Sequence, residues 1–447
     1  MNTEEFNNIR TVFDTQNQFR MLAPESVAKG VLQMCKDENN EQEQRQCAAN
    51  MMDLIQESVP KRLMENVSKS GKKTSVETPL YNAFFSEAMI KEIWARYKEI
   101  SVTTAHQKRM EKLKEFMSTY KPTISLGEAL YRLSFYLIPS FNNLAKSTNC
   151  LINFARRILL DTQNNILVDS AIMIGGQGKS TVQTGLKRAV EKMGLSSSSC
   201  QLPTIRDGVS EVFVRNEVCV DEDSKFVGID DEALNKIADK QQITIRGKYI
   251  KEWSARSVAS VFVGTNFLPN DVNDRRYSVR MVDENFKLEQ NFGKWDIPGI
   301  EGNLELSYPQ VVDWTEEGWL NLFYYVNKYE IKKQPYVETS YDYSLLYQVR
   351  KALDAQGCNV ADIGSLAKMI EQSSGEIFDW KTRQSYKNKL FKLANQLKLE
   401  IQGERKHNIY NTYDWTKALE IDEAIVENPL ERIYCYFHNN DDFKIKD

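Results

Sequence analysis

The run AIMIGGQGKSTVQTG, from Ala171 to Gly185, carries the most specific chemistry in the chain. Apolar residues precede it as a strand would, GK[ST] falls at Gly178, Lys179 and Ser180, and helix formers follow. That order of strand, glycine-rich turn and helix is a phosphate-binding loop. Gly175, Gly176, Gln177 and Gly178 would bring backbone N–H groups to an ATP phosphate chain, and the helix start adds positive potential at Thr181. Lys179 would reach the β and γ phosphates, and Ser180 would bind Mg²⁺. The pattern GxxxxGK[ST] expects a glycine at 173, where this chain has Met173. Gly175 and Gly176 must then make the turn. The bland alternative is a glycine turn ahead of an ordinary helix.

Two further strand ends follow. EVCVDED, Glu217 to Asp223, is an apolar run ending in acids. Asp221 would hold Mg²⁺ and Glu222 would orient or deprotonate an attacking water, which suits hydrolysis. SVFVGTN, Ser260 to Asn266, ends in an amide that can hold the lytic water beside the γ-phosphate. NDRRYSVR follows, and Arg275 or Arg276 could act as an arginine finger supplied by a neighbouring subunit. Read alone, these would be a solvated acidic loop, an Asn-containing turn and a solvated arginine pair.

Together these motifs resemble a superfamily 3 helicase, a branch of the AAA+ ATPases used by viruses, phages and mobile elements. The resemblance covers about residues 160 to 285. Phe262 to Val279, FVGTNFLPNDVNDRRYSV, also resembles the virulence-associated E group of phage and genomic-island proteins. The resemblance implies a DNA-gripping β-hairpin between the acidic strand and the Asn strand. Lys240 to Arg256, KQQITIRGKYIKEWSAR, alternates as strand, turn, strand, with five basic residues against one acidic. Arg246, Lys248, Tyr249 and Lys251 would follow phosphates and stack on a base or sugar. It further implies a ring, a hexamer, with a helical collar from the N-terminal region.

The elements that must position these residues can be read coarsely. Residues 1–150 read as a helical N-terminal region, with Ala28 to Ile55 and Glu87 to Met117 as helices and Ser68 to Pro79 as an exposed loop. Residues 151–330 alternate β-rich runs (Asn165 to Ile174, Val212 to Val220, Ile243 to Ile245, Ser257 to Gly264) with helical stretches (Ser180 to Met193, Asp231 to Ala238). That predicts an α/β domain with a largely parallel sheet. Residues 340–420 give three helices, Tyr343 to Leu353, Ile363 to Gln372 and Trp380 to Leu397, then a hairpin of Leu397 to Gln402 and Asn408 to Tyr413. This is the order of a winged helix-turn-helix. Its third helix would contact DNA through Lys381, Arg383, Lys387, Lys389 and Lys392, and its wing through Arg405 and Lys406. Residues 421–447 read as an acidic tail. The expected fold is therefore multidomain α/β: helical N-terminal domain, central P-loop ATPase domain and C-terminal winged helix.

Composition bounds the function. Lys and Arg number 58 and Asp and Glu 62, so the net charge of −4 excludes a uniformly basic coat. The charge is segregated, with six basic and no acidic residues in Lys381 to Lys398. Seven scattered cysteines without CxxC pairs, and three histidines, speak for reduced thiols in a cytosol and against a zinc site. No signal peptide or membrane span is expected. The expected activity is an ATP- and Mg²⁺-dependent helicase or translocase acting on single-stranded DNA, its winged domain docking on duplex or origin DNA, with other replication proteins as possible partners. The rivals are an initiator or loader that does not unwind, and an ATPase switch in regulation or defence.

Overall fold

The structure is a computed structural model that describes residues 61–67, 73–79, 87–171, 178–247, 250–266, 276–283, 290–291, 294–299, 302–336, 343–374, 377–402, 411–421 and 429–445. The expected helix at Ala28 to Ile55 lies outside them. The chain divides into two compact units, 1–105 with 242–256, and 106–241 with 257–447.

The first unit holds an antiparallel pair, β1 (Lys61–Val67) and β2 (Lys73–Pro79). The expected loop at Ser68 to Pro79 is therefore corrected in its second half: Thr74, Val76 and Thr78 alternate with polar neighbours, and pairing with β1 satisfies the backbone that a loop would leave to water. The helix α1 (Glu87–Thr119) begins in this unit and ends in the second.

The second unit is built on a mixed α/β core. Helices α2 (Leu126–Arg132) and α3 (Phe141–Leu160) start at Ser125 and Ser140, whose hydroxyls accept from the N–H groups of Glu128 and Asn143. Next come β3 (Ile166–Ser170), α4 (Lys179–Lys192), β4 (Ser197–Ser199), the short α5 (Val212–Arg215), β5 (Val218–Asp221) and α6 (Asp231–Ala238). Val212 to Val220 is therefore not one strand. Its valines suit either state, and the chain turns at Asn216, so the segment splits into a helical turn and β5.

A hairpin of β6 (Gln242–Gly247) and β7 (Ile250–Arg256) belongs to the first unit. Its Ile243 and Ile245 pair with Ala255 and Trp253, and all four are buried, while Gln242 and Thr244, which alternate with the isoleucines, are exposed. Back in the second unit, β8 (Ser260–Thr265) and β9 (Tyr277–Met281) complete a five-stranded parallel sheet in the order β4-β5-β8-β3-β9. Every residue of β3, β5 and β8 is buried, as central strands covered on both faces require. Antiparallel β10 (Gln290–Asn291), β11 (Lys294–Gly299) and β12 (Gly302–Ser307) lead into α7 (Tyr308–Lys328). The start of α7 is fixed by Pro309 and by the Gln310 side chain accepting from Ser307 N–H.

One apolar core joins α2, α3, α4, α7 and the sheet. Residues 126–150, assigned from the sequence to the N-terminal region, thus pack with the sheet. A second core lies within α8 (Tyr343–Gln356), β13 (Val360–Asp362), α9 (Ile363–Ser374), α10 (Trp380–Leu397), β14 (Thr412–Asp414) and α11 (Thr416–Ile421). There β13 pairs with β14, and residues 400–402 pair with 412–414 on its other side. Trp415, fully buried, donates to Ala361 O at 3.1 Å and ties the strands to the helices. The final helix α12 (Pro429–His438) and the turn at Asp441–Phe443 return to the first core, burying Ile433, Phe437 and Phe443. The C-terminal stretch is acidic in sequence, yet its apolar residues belong to the core.

Candidate functional site

The ends of β3, β5 and β8 meet at the C-terminal edge of the parallel sheet. The chain passes from β3 through 172–177, where Gly175, Gly176 and Gln177 lie outside the described residues. It re-enters at Gly178, whose φ of 96° caps α4 in the left-handed region. A side chain there would be strained, so glycine is required. Lys179, Ser180 and Thr181 form the first turn of the helix. Ser180 is exposed and Thr181 is buried.

Lys179 is only 7% exposed and its Nζ donates to Asn266 Oδ1 at 2.7 Å, across from the end of β8. Burial pulls its pKa down, opposed by the negative charges of Asp169 and Asp223. Asp221, also 7% exposed, accepts from Leu202 N at 3.1 Å and from Asp223 N at 3.4 Å. Burial pushes its carboxyl above the usual range; the two backbone donors oppose this, while neighbouring Asp223 and Glu222 add to it. The Glu222 side chain is 46% exposed, and Lys187 Nζ stands 3.9 Å from it. The order of strands explains the convergence. β8 lies between β3 and β5, so Asn266 follows the strand that separates β3 from the acidic strand. A buried ammonium at a helix N-terminus can hold an anionic phosphate, and an acid beside it can hold a divalent cation.

Helix α7 fixes the helix that carries Lys179. Trp319 Nε1 donates to Val182 O at 2.9 Å. Gly185 lies so close to α7 that a Cβ there would collide with the Thr315 side chain and stand 2.9 Å from Glu316 N.

Arg276 is not at this edge. Its carbonyl accepts from Ile166 N, and Tyr277 pairs with Ile166 in parallel register, so it sits at the opposite end of the sheet. Its guanidinium meets Asp231 at 3.1 Å. Arg275 lies outside the described residues. In the β6–β7 hairpin, Arg246 and Lys251 lie on the strands, and Lys248 and Tyr249 lie outside the described residues. On α10, Lys381, Lys389 and Lys392 are exposed and Lys387 is half-buried. Arg383 is bound by Glu371 of α9 through Nε and Nη2 at 3.1 and 2.8 Å, so it braces the helix pair rather than joining the open face. Arg405 and Lys406 lie outside the described residues.

Sequence reasoning missed a buried ion pair behind the site. Arg280 of β9 and Asp169 of β3 are fully buried and joined by two hydrogen bonds of 2.6 Å. Arg280 also donates to Leu133 O and Tyr136 OH, and Tyr136 OH donates to Asp169. The signal was an acid inside ILVDS and a base inside YSVRM, each in an otherwise apolar strand.

No protein-family model matches the chain, and no curated protein matches it. Solved structures that resemble it include the A-form apo structure of the NrS-1 C-terminal region (305–718), at 14% identity and a TM-score of 0.34, covering 67% of this chain and 77% of that one. A further apo structure of that region aligns at 15% identity and a TM-score of 0.33, covering 67% and 78%. Similarity at that level assigns neither fold nor activity.

Proposed function

We propose that the protein is an ATP- and Mg²⁺-dependent DNA helicase or translocase of the AAA+ superfamily 3 type, serving replication of a phage, plasmid or mobile element. The observation that carries the reading is the buried Lys179 ammonium held 2.7 Å from Asn266 at the sheet edge where Asp221 ends its strand. Lys179 and Ser180 bind the phosphates and Mg²⁺, Asp221 holds the metal, and Asn266 and Glu222 position the lytic water. In the nucleotide-bound state the phosphate takes the place of Asn266 as the partner of Lys179. The position of Arg276 at the far end of the sheet fits a finger that serves a neighbouring subunit, and so a ring whose ATP sites lie between subunits. Single-stranded DNA in the ring is gripped by the Lys248 hairpin. The module of α8 to α11 has the order helix, strand, helix, helix, then the paired segments 400–402 and 412–414 and the short closing helix α11, which fits a winged helix that docks on duplex DNA.

The test is ATP hydrolysis with and without single-stranded DNA, and strand displacement on a forked duplex. Lys179→Ala is expected to cut hydrolysis about a hundredfold or more, the scale of losing one charged donor to a developing phosphate charge. Full activity in that variant would remove the phosphate assignment. Hydrolysis without strand displacement favours the loader reading, which the open basic face of α10 supports.

A further inference from the structure

The cations of α10 are not the only exposed groups on that helix. Tyr386, Leu390, Leu393, Ala394 and Leu397 turn into the second core. The helical repeat then puts Lys381, Gln384, Asn388, Lys392 and Asn395 along the opposite ridge. Lys381, Asn388, Lys392 and Asn395 are exposed, and Gln384 is half-exposed. The helix contains no acidic residue. Gln384 Nε2 donates to Asn388 Oδ1 at 3.3 Å, which leaves Gln384 Oε1 as an acceptor beside Asn388 Nδ2 as a donor.

We infer that this ridge reads adenine edges in the major groove of duplex DNA, so that the module selects sequence as well as holding the duplex. Adenine presents an N7 acceptor next to an N6 donor, the complement of an amide's donor and acceptor. Lys381 and Lys392 flank the Gln384–Asn388 pair and match neighbouring phosphates, which position a helix without specifying bases. The capping carboxylate at the start of α10, Asp379, accepts from Thr382 N–H and so is engaged by the helix itself. This inference rests on the DNA-docking reading of the module.

The experiment is selection from a random duplex library with the full chain and no nucleotide, followed by binding of the selected and a scrambled G·C-rich duplex across a salt series. The expected result is enriched sites with adenines at neighbouring base pairs. Gln384→Ala with Asn388→Ala should lower affinity for the selected site about fivefold or more per lost adenine contact, with the salt slope kept. Lys381→Ala with Lys392→Ala should weaken both duplexes alike and reduce the salt slope by about one per phosphate lost. Salt-dependent binding with no enriched sequence, or enrichment unchanged by the amide substitutions, overturns base readout and leaves DNA docking standing. No duplex binding at low salt overturns both readings.

Discussion

At the scale of single residues, the site is held together by burial acting on charge. Asp221 has a carboxyl pKa raised by burial, so it takes up a proton at a higher pH than an exposed aspartate. An acid whose pKa rises on folding is most compatible with the fold when protonated, and stability falls as pH climbs through the folded value. Asp221→Asn is therefore expected to melt at or above the wild-type temperature while losing Mg²⁺-dependent hydrolysis. A lower melting temperature would recast Asp221 as a structural acid. Under the proposed function Mg²⁺ would compete with this proton, so hydrolysis is expected to fall as pH drops toward the raised Asp221 pKa. The gathering of Lys179, Asp221 and Asn266 at one edge of the sheet was legible because residue type and spacing are constrained together. Asp169 and Arg280 were not, since a charge within an apolar run reads equally as a strand end. Replacing Arg280 by leucine leaves the Asp169 charge buried with one fewer partner and should cost about 3–5 kcal/mol in denaturant unfolding.

At the scale of elements, the close pass of α4 over α7 decides where Lys179 stands. Adding a methyl at Gly185 gains helix propensity of about 0.5–1 kcal/mol. It also drives a Cβ into the Thr315 side chain and within 3.0 Å of its backbone, where overpacking costs about 1–3 kcal/mol. The clash is against backbone, which yields little, so Gly185→Ala should destabilise by about 1–2 kcal/mol net and weaken nucleotide binding. Equilibrium unfolding and nucleotide titration check both. Two capped helices were legible to the residue, α6 starting after Asp230 and α10 after Asp379, whereas the equally capped α2 and α3 were not read as separate helices. The hairpin at residues 61–79 was not legible, because its second strand is polar, with Val76 its one strongly apolar residue. The expected wing arms also shift: Leu397 stays in α10 under its left-handed cap at Lys398, and pairing begins at Glu400.

At the scale of the whole molecule, α1 enters the second unit through a charged cluster. His106 lies between Glu217, at 2.7 Å from Nδ1, and Asp161, at 3.0 Å from Nε2. Arg109 binds Glu217 and Lys240 binds Asp161. Burial lowers the His106 pKa, but the two carboxylates outweigh it and the net shift is upward from 6.5. Its contribution to stability is thus full below about pH 6.5 and lost as pH rises through the folded value. Melting temperatures of wild type minus His106→Gln should decline across that window; a flat difference would remove the charged-histidine account. Among the described residues no helix is long and apolar enough to cross a membrane. The return of α12 onto α2 brings His438 to Glu128 at 2.9 Å, 310 residues apart in sequence. On the ribosome, at roughly 5–20 residues per second, α2 waits on the order of 15–60 s for that partner. For that interval the apolar face later covered by Phe437 and Phe443 stands open, which makes the nascent chain a client for chaperones and its yield sensitive to the speed of synthesis.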